Sequence, residues 1–192
     1  ELLAPRWAGA HAATLFSATL APMAHTQRLL GLPDPVARLD VASPFDPAQW
    51  SVRVAHGLST RWADRARTLP RLVDELGAHY RAHPGNHLAF FSSFDYLTQA
   101  LEAFRAVLPD VPVWSQSRSM DEAAREAFIA RFVEGGRGMG FAVLGGVFSE
   151  GIDLPGSRLV GVSIATLGLP PPDPLSEALR ERLQRAGAQG WA

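Results

Sequence analysis

Residues 145–156 read GGVFSEGIDLPG. The stretch follows the apolar run FAVL and precedes another, RLVGVSIATL. Gly145 and Gly146 allow the backbone to approach another group closely. Phe148 is placed to plug a core beside the loop, and Glu150 and Asp153 flank Gly151-Ile152. An ordinary charged surface loop explains this order of residues poorly. A second stretch, residues 86–97, reads NHLAFFSSFDYL. Here an apolar strand ends at Phe91 and a helix opens at Ser92-Ser93, where free backbone N–H groups favour an anion and two hydroxyls add donors. Plain capping by serine is the simpler use of the same residues. A third, residues 15–23, reads LFSATLAPM. Its Ser17-Ala18-Thr19 offers hydroxyls to a neighbouring loop or a phosphate, or makes an ordinary Ser/Thr turn.

Elements that would position these residues can be read from the apolar pattern. Strands are expected at Ala12–Phe16, Ala37–Val41, Ser51–Ala55, His87–Phe91, Val111–Trp114, Phe141–Gly145 and Leu159–Ala165. LAFF and FAVL are continuous rather than alternating, as in strands buried on both faces. A helix is expected after Pro22 and another from Pro70 to Ala82, with Leu72, Val73, Leu76 and Tyr80 on one side. The next follows Ser93, with Leu97, Leu101, Phe104 and Leu108 as its stripe. One more starts at Ser119, where Ser119 and Glu122 form a capping box, presents Phe128, Ile129 and Phe132, and stops at Gly135-Gly136. The last begins near Asp173-Pro174, with Leu175, Leu179 and Leu183 spaced by four. Segments 31–50 and 166–174 are Pro-rich and read as loops. Strands alternating with helices of this length predict an α/β fold, a mainly parallel sheet covered on both faces. In such sheets ligands sit beyond the carboxyl ends of the strands, where the three stretches fall.

Taken in order, SAT, FFSSFDYL and GGVFSEGIDLPG resemble the second motor domain of the DinG/XPD family of superfamily 2 DNA helicases. FSEGID is the most specific piece; LFSATL resembles the family's coupling motif III, and FFSSFDYL its motif IV, with Ser92 where proline is usual and Phe94 where tyrosine is frequent. The resemblance runs from about Ala12 to Gln189. It implies a RecA-like three-layer α-β-α domain over residues 1–192, cut before the last helicase motif. It also implies a partner motor domain, with ATP and Mg2+ in the cleft between the two and single-stranded DNA moved 5′ to 3′. By the same resemblance, Ser17 and Thr19 couple nucleotide state to the DNA path. Ser92, Ser93 and Phe94 contact DNA, and Ser149, Glu150, Gly151 and Asp153 lie at the ATP cleft. An iron–sulfur cluster, where the family has one, belongs to the other domain, and DNA repair is the expected setting.

What the sequence lacks matters equally. It contains no GxxxxGK[ST] phosphate loop, no D-E-A-H-type metal box and no Q-x-x-G-R motif. Phosphoryl transfer depends on such parts, so this chain is expected to be inactive as an ATPase alone. Other readings stand beside the motor. One is a non-catalytic RecA-like module that binds nucleic acid or a partner; another is a hydrolase with Ser149 as nucleophile and Asp153 in support, although Gly146 sits one residue too far for a nucleophile elbow. GGRGMG, residues 135–140, follows a helix and precedes a strand, the reverse of a dinucleotide site. His79, His83 and His87 are spaced by four, but Pro84-Gly85 interrupts them, and they read as an exposed helix end. Of the five tryptophans, Trp62 stands out, because Arg61, Arg65 and Arg67 surround it as in a strand-contact surface.

The 192 residues carry a formal net charge of −1. Binding to nucleic acid through bulk charge is thereby disfavoured, and any contact must be local. All 18 basic residues are arginine, a usage that points to a high-GC genome. Cysteine is absent, which removes disulfides and thiolate metal sites from this span and fits a reducing compartment. No apolar run reaches the roughly 18 residues of a membrane span, and no signal peptide is visible. The sequence opens on Glu1 without a methionine and reads as an excised fragment. The expected location is the bacterial cytoplasm, at the nucleoid.

Overall fold

A computed structural model describes residues 3–168 and 174–185, apart from the side chain of Leu183. The chain divides into two compact units, residues 1–53 and 54–192. In the first, α1 (Ala4–Ala8) and α2 (Met23–Leu30) are joined by irregular chain. The Trp7 indole donates to the Leu30 carbonyl at 2.8 Å, and Gly31 closes α2 in the left-handed conformation. The helix expected after Pro22 is present. The strands expected at 12–16, 37–41 and 51–55 are not, and these segments are irregular. Their β-branched and aromatic residues are exposed, Phe16 at 89% and Leu39 at 84%. β-Propensity reflects packing on a pleated, half-buried surface, and here no such surface forms.

The second unit holds the sheet. Its strands are β1 (Asn86–Phe91), β2 (Val113–Ser115), β3 (Gly138–Val143) and β4 (Gly161–Ala165). They are all parallel, in the order β2-β3-β1-β4. β1 is buried along its whole length, as its unbroken apolar run requires. Ala89 and Phe91 face one side, with Met139 and Phe141 of β3, against α3 (Arg65–Ala82) and α4 (Phe94–Val107). Leu88 and Phe90 face the other, where Trp114, Ala142, Phe148, Phe132 and Phe128 of α5 (Glu122–Ala130) form a second core. The result is the expected RecA-like α-β-α arrangement. α6 (Pro174–Arg185) carries Leu175 and Leu179 exposed; Asp173, Leu183 and Gln189, named above, lie outside the described residues or side chains.

Several boundaries differ from expectation for local reasons. α3 starts five residues before Pro70 and carries the proline on its exposed side. α5 is capped by Asp121, whose carboxylate accepts the Ala124 N–H at 2.8 Å, so the Ser119–Glu122 box is not formed. The helix ends at Ala130 rather than at the glycine pair, and the chain turns so that Phe132 enters the second core. β3 begins three residues early, and Gly140 within it makes room for rings: a Cβ there would stand 2.8 Å from Phe132, 3.0 Å from the Trp114 indole nitrogen and 3.2 Å from Phe128 of α5. In GGRGMG, Gly136, Gly138 and Gly140 are thus packing positions, while Gly135 turns the chain at φ +66°. β4 begins two residues late, after a 3-10 turn at Gly156–Arg158.

Of the three histidines only His83 sits at an exposed helix end. His87 is 1% exposed on β1, with His79 edge-on at 4.8 Å between ring centres. The His83 carbonyl can only accept, so the His87 Nε2 facing it at 2.8 Å carries the proton. Nδ1 is then buried without a partner. His79 Nδ1 lies 3.0 Å from the Ser163 hydroxyl. Among the described residues no group of three or more metal-ligating side chains forms.

Burial holds the His87 imidazole below the ordinary histidine range, with nearby His79 and His83 adding to the shift and the His83 carbonyl opposing it. The unfolded chain therefore binds the proton first as pH falls below about 6.5, and the native state loses stability from that point down. Denaturant midpoints measured between pH 7.5 and 5 are expected to fall, with a shallower fall for His87→Gln. Phe148 is 1% exposed and stacks on Phe128 at 4.2 Å. Its truncation to alanine is expected to cost about 3–5 kcal/mol by urea unfolding.

Candidate nucleotide and nucleic-acid interface

Because every strand is parallel, the chain leaves Phe91, Ser115, Val143 and Ala165 at the same edge of the sheet. Three main-chain contacts tie this edge together. The Leu144 N–H donates to the Phe91 carbonyl at 2.8 Å, and the Gln116 N–H to the Phe141 carbonyl at 2.8 Å. The Gln116 side-chain carbonyl in turn accepts the Val143 N–H at 2.9 Å. Gln116 was not singled out by sequence reading; no motif surrounds it, and its role appears only when β2 and β3 are paired. Its amide also lies where a side chain on Gly146 would come, at 3.3 Å.

On this frame the loop after β3 alternates between anchored and free residues. Gly145 adopts φ +79° and Gly151 φ +73°, left-handed backbone that other residues rarely tolerate. Phe148 is buried. The Ser149 hydroxyl and N–H both donate to the Gly146 carbonyl, at 2.6 and 3.0 Å. Ile152 and Leu154 pack against the second core. Glu150 and Asp153 are exposed, and among the described residues neither carboxylate has a hydrogen-bond or ion-pair partner. Downstream, the Ser157 hydroxyl accepts the Gly135 N–H at 3.1 Å, and Arg158 Nε donates to the Phe132 carbonyl at 2.9 Å. Both ends of the loop are thus fixed while its two acids project. A serine hydrolase needs a base on the nucleophile; here the Ser149 proton goes to a main-chain carbonyl.

Ser92 and Ser93 divide their work. Ser93 caps α4, accepting the Tyr96 N–H at 3.3 Å. Exposed Ser92 accepts from Arg65 Nη2 at 2.7 Å and keeps its own proton to donate. The Arg65 guanidinium lies 4.4 Å from the centre of the buried Tyr96 ring; burial raises the Tyr96 hydroxyl above the usual tyrosine range, and the Arg65 charge opposes that. Phe94, half-buried, has Arg118 at 5.0 Å from its ring centre, and Arg118 pairs with Asp95 at 2.7 Å. The Arg65–Ser92 contact spans 27 residues of sequence, which is why spacing alone did not join them.

Ser17 and Thr19 lie in the first unit. Their hydroxyl oxygens are 3.2 Å apart, and the Thr19 N–H donates to Ser17 Oγ at 3.2 Å. Both are exposed. The pair forms a Ser/Thr turn before α2 rather than the end of a strand.

The donor set can be weighed against nucleotide and Mg2+. Carboxylates suit sugar hydroxyls or metal-bound water; phosphate oxygens need N–H, O–H or guanidinium donors, and the Ser149 hydroxyl of the acidic loop already donates to the Gly146 carbonyl. No cysteine is present to ligate an iron–sulfur cluster. Among the described residues no helix is long and apolar enough to cross a membrane.

Comparison with known proteins agrees with this geometry. The family model for the helicase C-terminal domain matches residues 76–192, more than half of the chain. The chain is 28% identical over 202 aligned positions to the ATP-dependent DNA helicase chl1 of Aspergillus niger, covering 91% of this chain and 23% of that protein. It is 32% identical over 116 positions to the probable ATP-dependent helicase MJ0942 of Methanocaldococcus jannaschii, covering 55% of this chain and 17% of that protein. The chain thus spans less than a quarter of either relative. The matched residues contain the β1–α4 turn and the whole loop after β3, and the chain belongs to the helicase C-terminal domain family.

Proposed function

We propose that residues 1–192 act as the second motor domain of an ATP-dependent DNA helicase of the DinG/XPD type, moving 5′ to 3′ on single-stranded DNA. The reading places the protein in the bacterial cytoplasm, in DNA repair. The observation that carries it is the loop after β3, which projects two unpaired carboxylates from an anchored frame, on the same sheet edge as the α4 N-terminus.

In this reading Ser92, Ser93 and Phe94 hold the DNA strand. Ser149, Gly151, Glu150 and Asp153 form one wall of an ATP cleft, and Ser17 and Thr19 couple its state to the strand. ATP with Mg2+ supplies the driving free energy when bound. Asp153 and Glu150 would meet the nucleotide's hydroxyls or the metal's water ligands, as acceptor-only groups must. The phosphates belong to the other motor domain, since this chain has no phosphate loop. An iron–sulfur cluster, if the whole protein has one, belongs there too. Closing and opening of the cleft would shift the α4 turn relative to a strand held by the other domain, because both loops are bonded to the same parallel ladder.

Steady-state ATP hydrolysis by the full-length protein tests this, with and without oligothymidylate, for wild type and Asp153→Ala. DNA is expected to stimulate the wild type, and the variant to lose about tenfold or more of the stimulated turnover, about 1.4 kcal/mol of barrier. Its thermal midpoint should barely move, since exposed substitutions away from special features stay within about 0.5 kcal/mol. Residues 1–192 alone should show no turnover. Absence of DNA stimulation in the full-length protein would mark the domain as a binding module; a variant equal to wild type would remove Asp153 from the mechanism.

A further inference from the structure

We infer that Trp62 is a stacking platform for an unpaired base, a nucleic-acid contact adjoining the α4 turn, with Arg61 and Arg65 supplying charge for the flanking phosphates. The inference rests on the motor reading above and extends its strand path to a surface that the helicase motifs do not include.

Trp62 opens a 3-10 turn, Trp62–Asp64, that leads directly into α3. Its indole is 83% exposed, although tryptophan is usually highly buried. A single exposed apolar side chain needs no explanation by itself; what sets this one apart is the fixed turn that carries it and the arginines around it. Here it is held. The Ser59 hydroxyl donates to Asp64 Oδ2 at 2.6 Å, and Arg67 pairs with Asp64 Oδ1 at 3.0 Å. The Thr68 hydroxyl donates to the Ser59 carbonyl at 2.8 Å, and Arg65 Nε to the Thr60 carbonyl at 3.1 Å. An indole on an anchored turn loses little backbone freedom on binding.

The charges around it favour a polyanion. Both acids of the patch are engaged by arginine, Asp64 by Arg67 and Asp95 by Arg118. Arg61 is exposed and makes no ion pair among the described residues. Arg65 is held by neutral oxygens and the Tyr96 ring rather than by a carboxylate. Arg61 also acts on Asp64, but Arg61, Arg65, Arg67 and Arg118 against Asp64 and Asp95 leave two positive charges in excess, in a chain whose net charge is −1, a local rather than bulk attraction.

The patch is also continuous with the proposed strand site. Arg65 follows Trp62 by one 3-10 turn, about 6 Å of rise, and its guanidinium bonds Ser92 at 2.7 Å. A strand whose phosphate meets the Ser92 hydroxyl thus has a cation beside it and an exposed indole one turn beyond. Phe94, under the Arg118 guanidinium, offers a further aromatic at the first turn of α4. Indole faces accept only bases whose own faces are free, so the occupant is single-stranded nucleic acid rather than duplex.

Fluorescence anisotropy on the full-length protein tests this, using fluorescein-labelled oligothymidylate and an abasic strand of the same length. Trp62→Ala is expected to weaken oligothymidylate binding by about 5- to 100-fold, and Trp62→Phe by no more than about threefold. On the abasic strand wild type and Trp62→Ala should bind alike. Arg61→Ala should reduce the slope of log affinity against log salt by about one. If wild type binds oligothymidylate and Trp62→Ala, folded by circular dichroism, binds it equally, the inference is wrong and Trp62 faces a protein. An equal loss on both strands would also overturn it, since stacking would not be the cause. If wild type binds neither strand, the motor reading itself fails.

Discussion

The Leu144 amide reaches the Phe91 carbonyl at 2.8 Å and carries the β1–β3 ladder one step past its last paired residues. That parallel pairing sets where everything chemical can stand. Parallel strands end on one edge, and the connections between them run over the faces rather than across that edge. The turn after β1, Gln116 after β2 and the loop after β3 are therefore neighbours, although 20 or more residues separate each from the next in sequence. β1 and β3 can occupy the middle of the sheet because nearly all their residues are buried, and aromatic rings fill both faces, Phe91 and Phe141 on one and Phe90 on the other.

From this edge the loop after β3 derives its character. Phe148, Ile152 and Leu154 turn inward, Ser149 bonds its own turn, and left-handed Gly145 and Gly151 permit the reversals between them. What remains outward is Glu150 and Asp153. Two exposed carboxylates on an otherwise committed loop cost little in stability, since each stays hydrated. The α4 turn shows a complementary division: Ser93 serves the helix, while Ser92 and its Arg65 neighbour remain at the surface.

Much of the sheet was legible in the sequence because burial on both faces leaves unbroken apolar runs. NHLAFF and the apolar part of β3 could be read directly. The segments 12–16, 37–41 and 51–55 show the limit of that reading: β-forming residues make a strand only where a neighbouring strand accepts their amides. Contacts between distant residues were likewise hidden, Arg65 with Ser92, Gln116 with Val143 and His87 with His79. The order of elements around the glycines of residues 135–140 was enough to reject a nucleotide fingerprint, but not to show that Gly140 makes room for aromatic rings. In the acidic loop the burial of Phe148 was legible, while the Ser149 bond to Gly146 and the inward packing of Ile152 and Leu154 were not.

Hydrogen–deuterium exchange on the full-length protein separates the two roles assigned to this edge. With a non-hydrolysable ATP analogue and Mg2+, amides of residues 149–153 are expected to slow; with oligothymidylate alone, those of residues 94–97 are expected to slow, together with Trp62–Arg65. The distal end of α3 should be indifferent to both ligands. If both ligands bind and neither segment changes its exchange, the carboxyl edge of this sheet is not where nucleotide and strand meet.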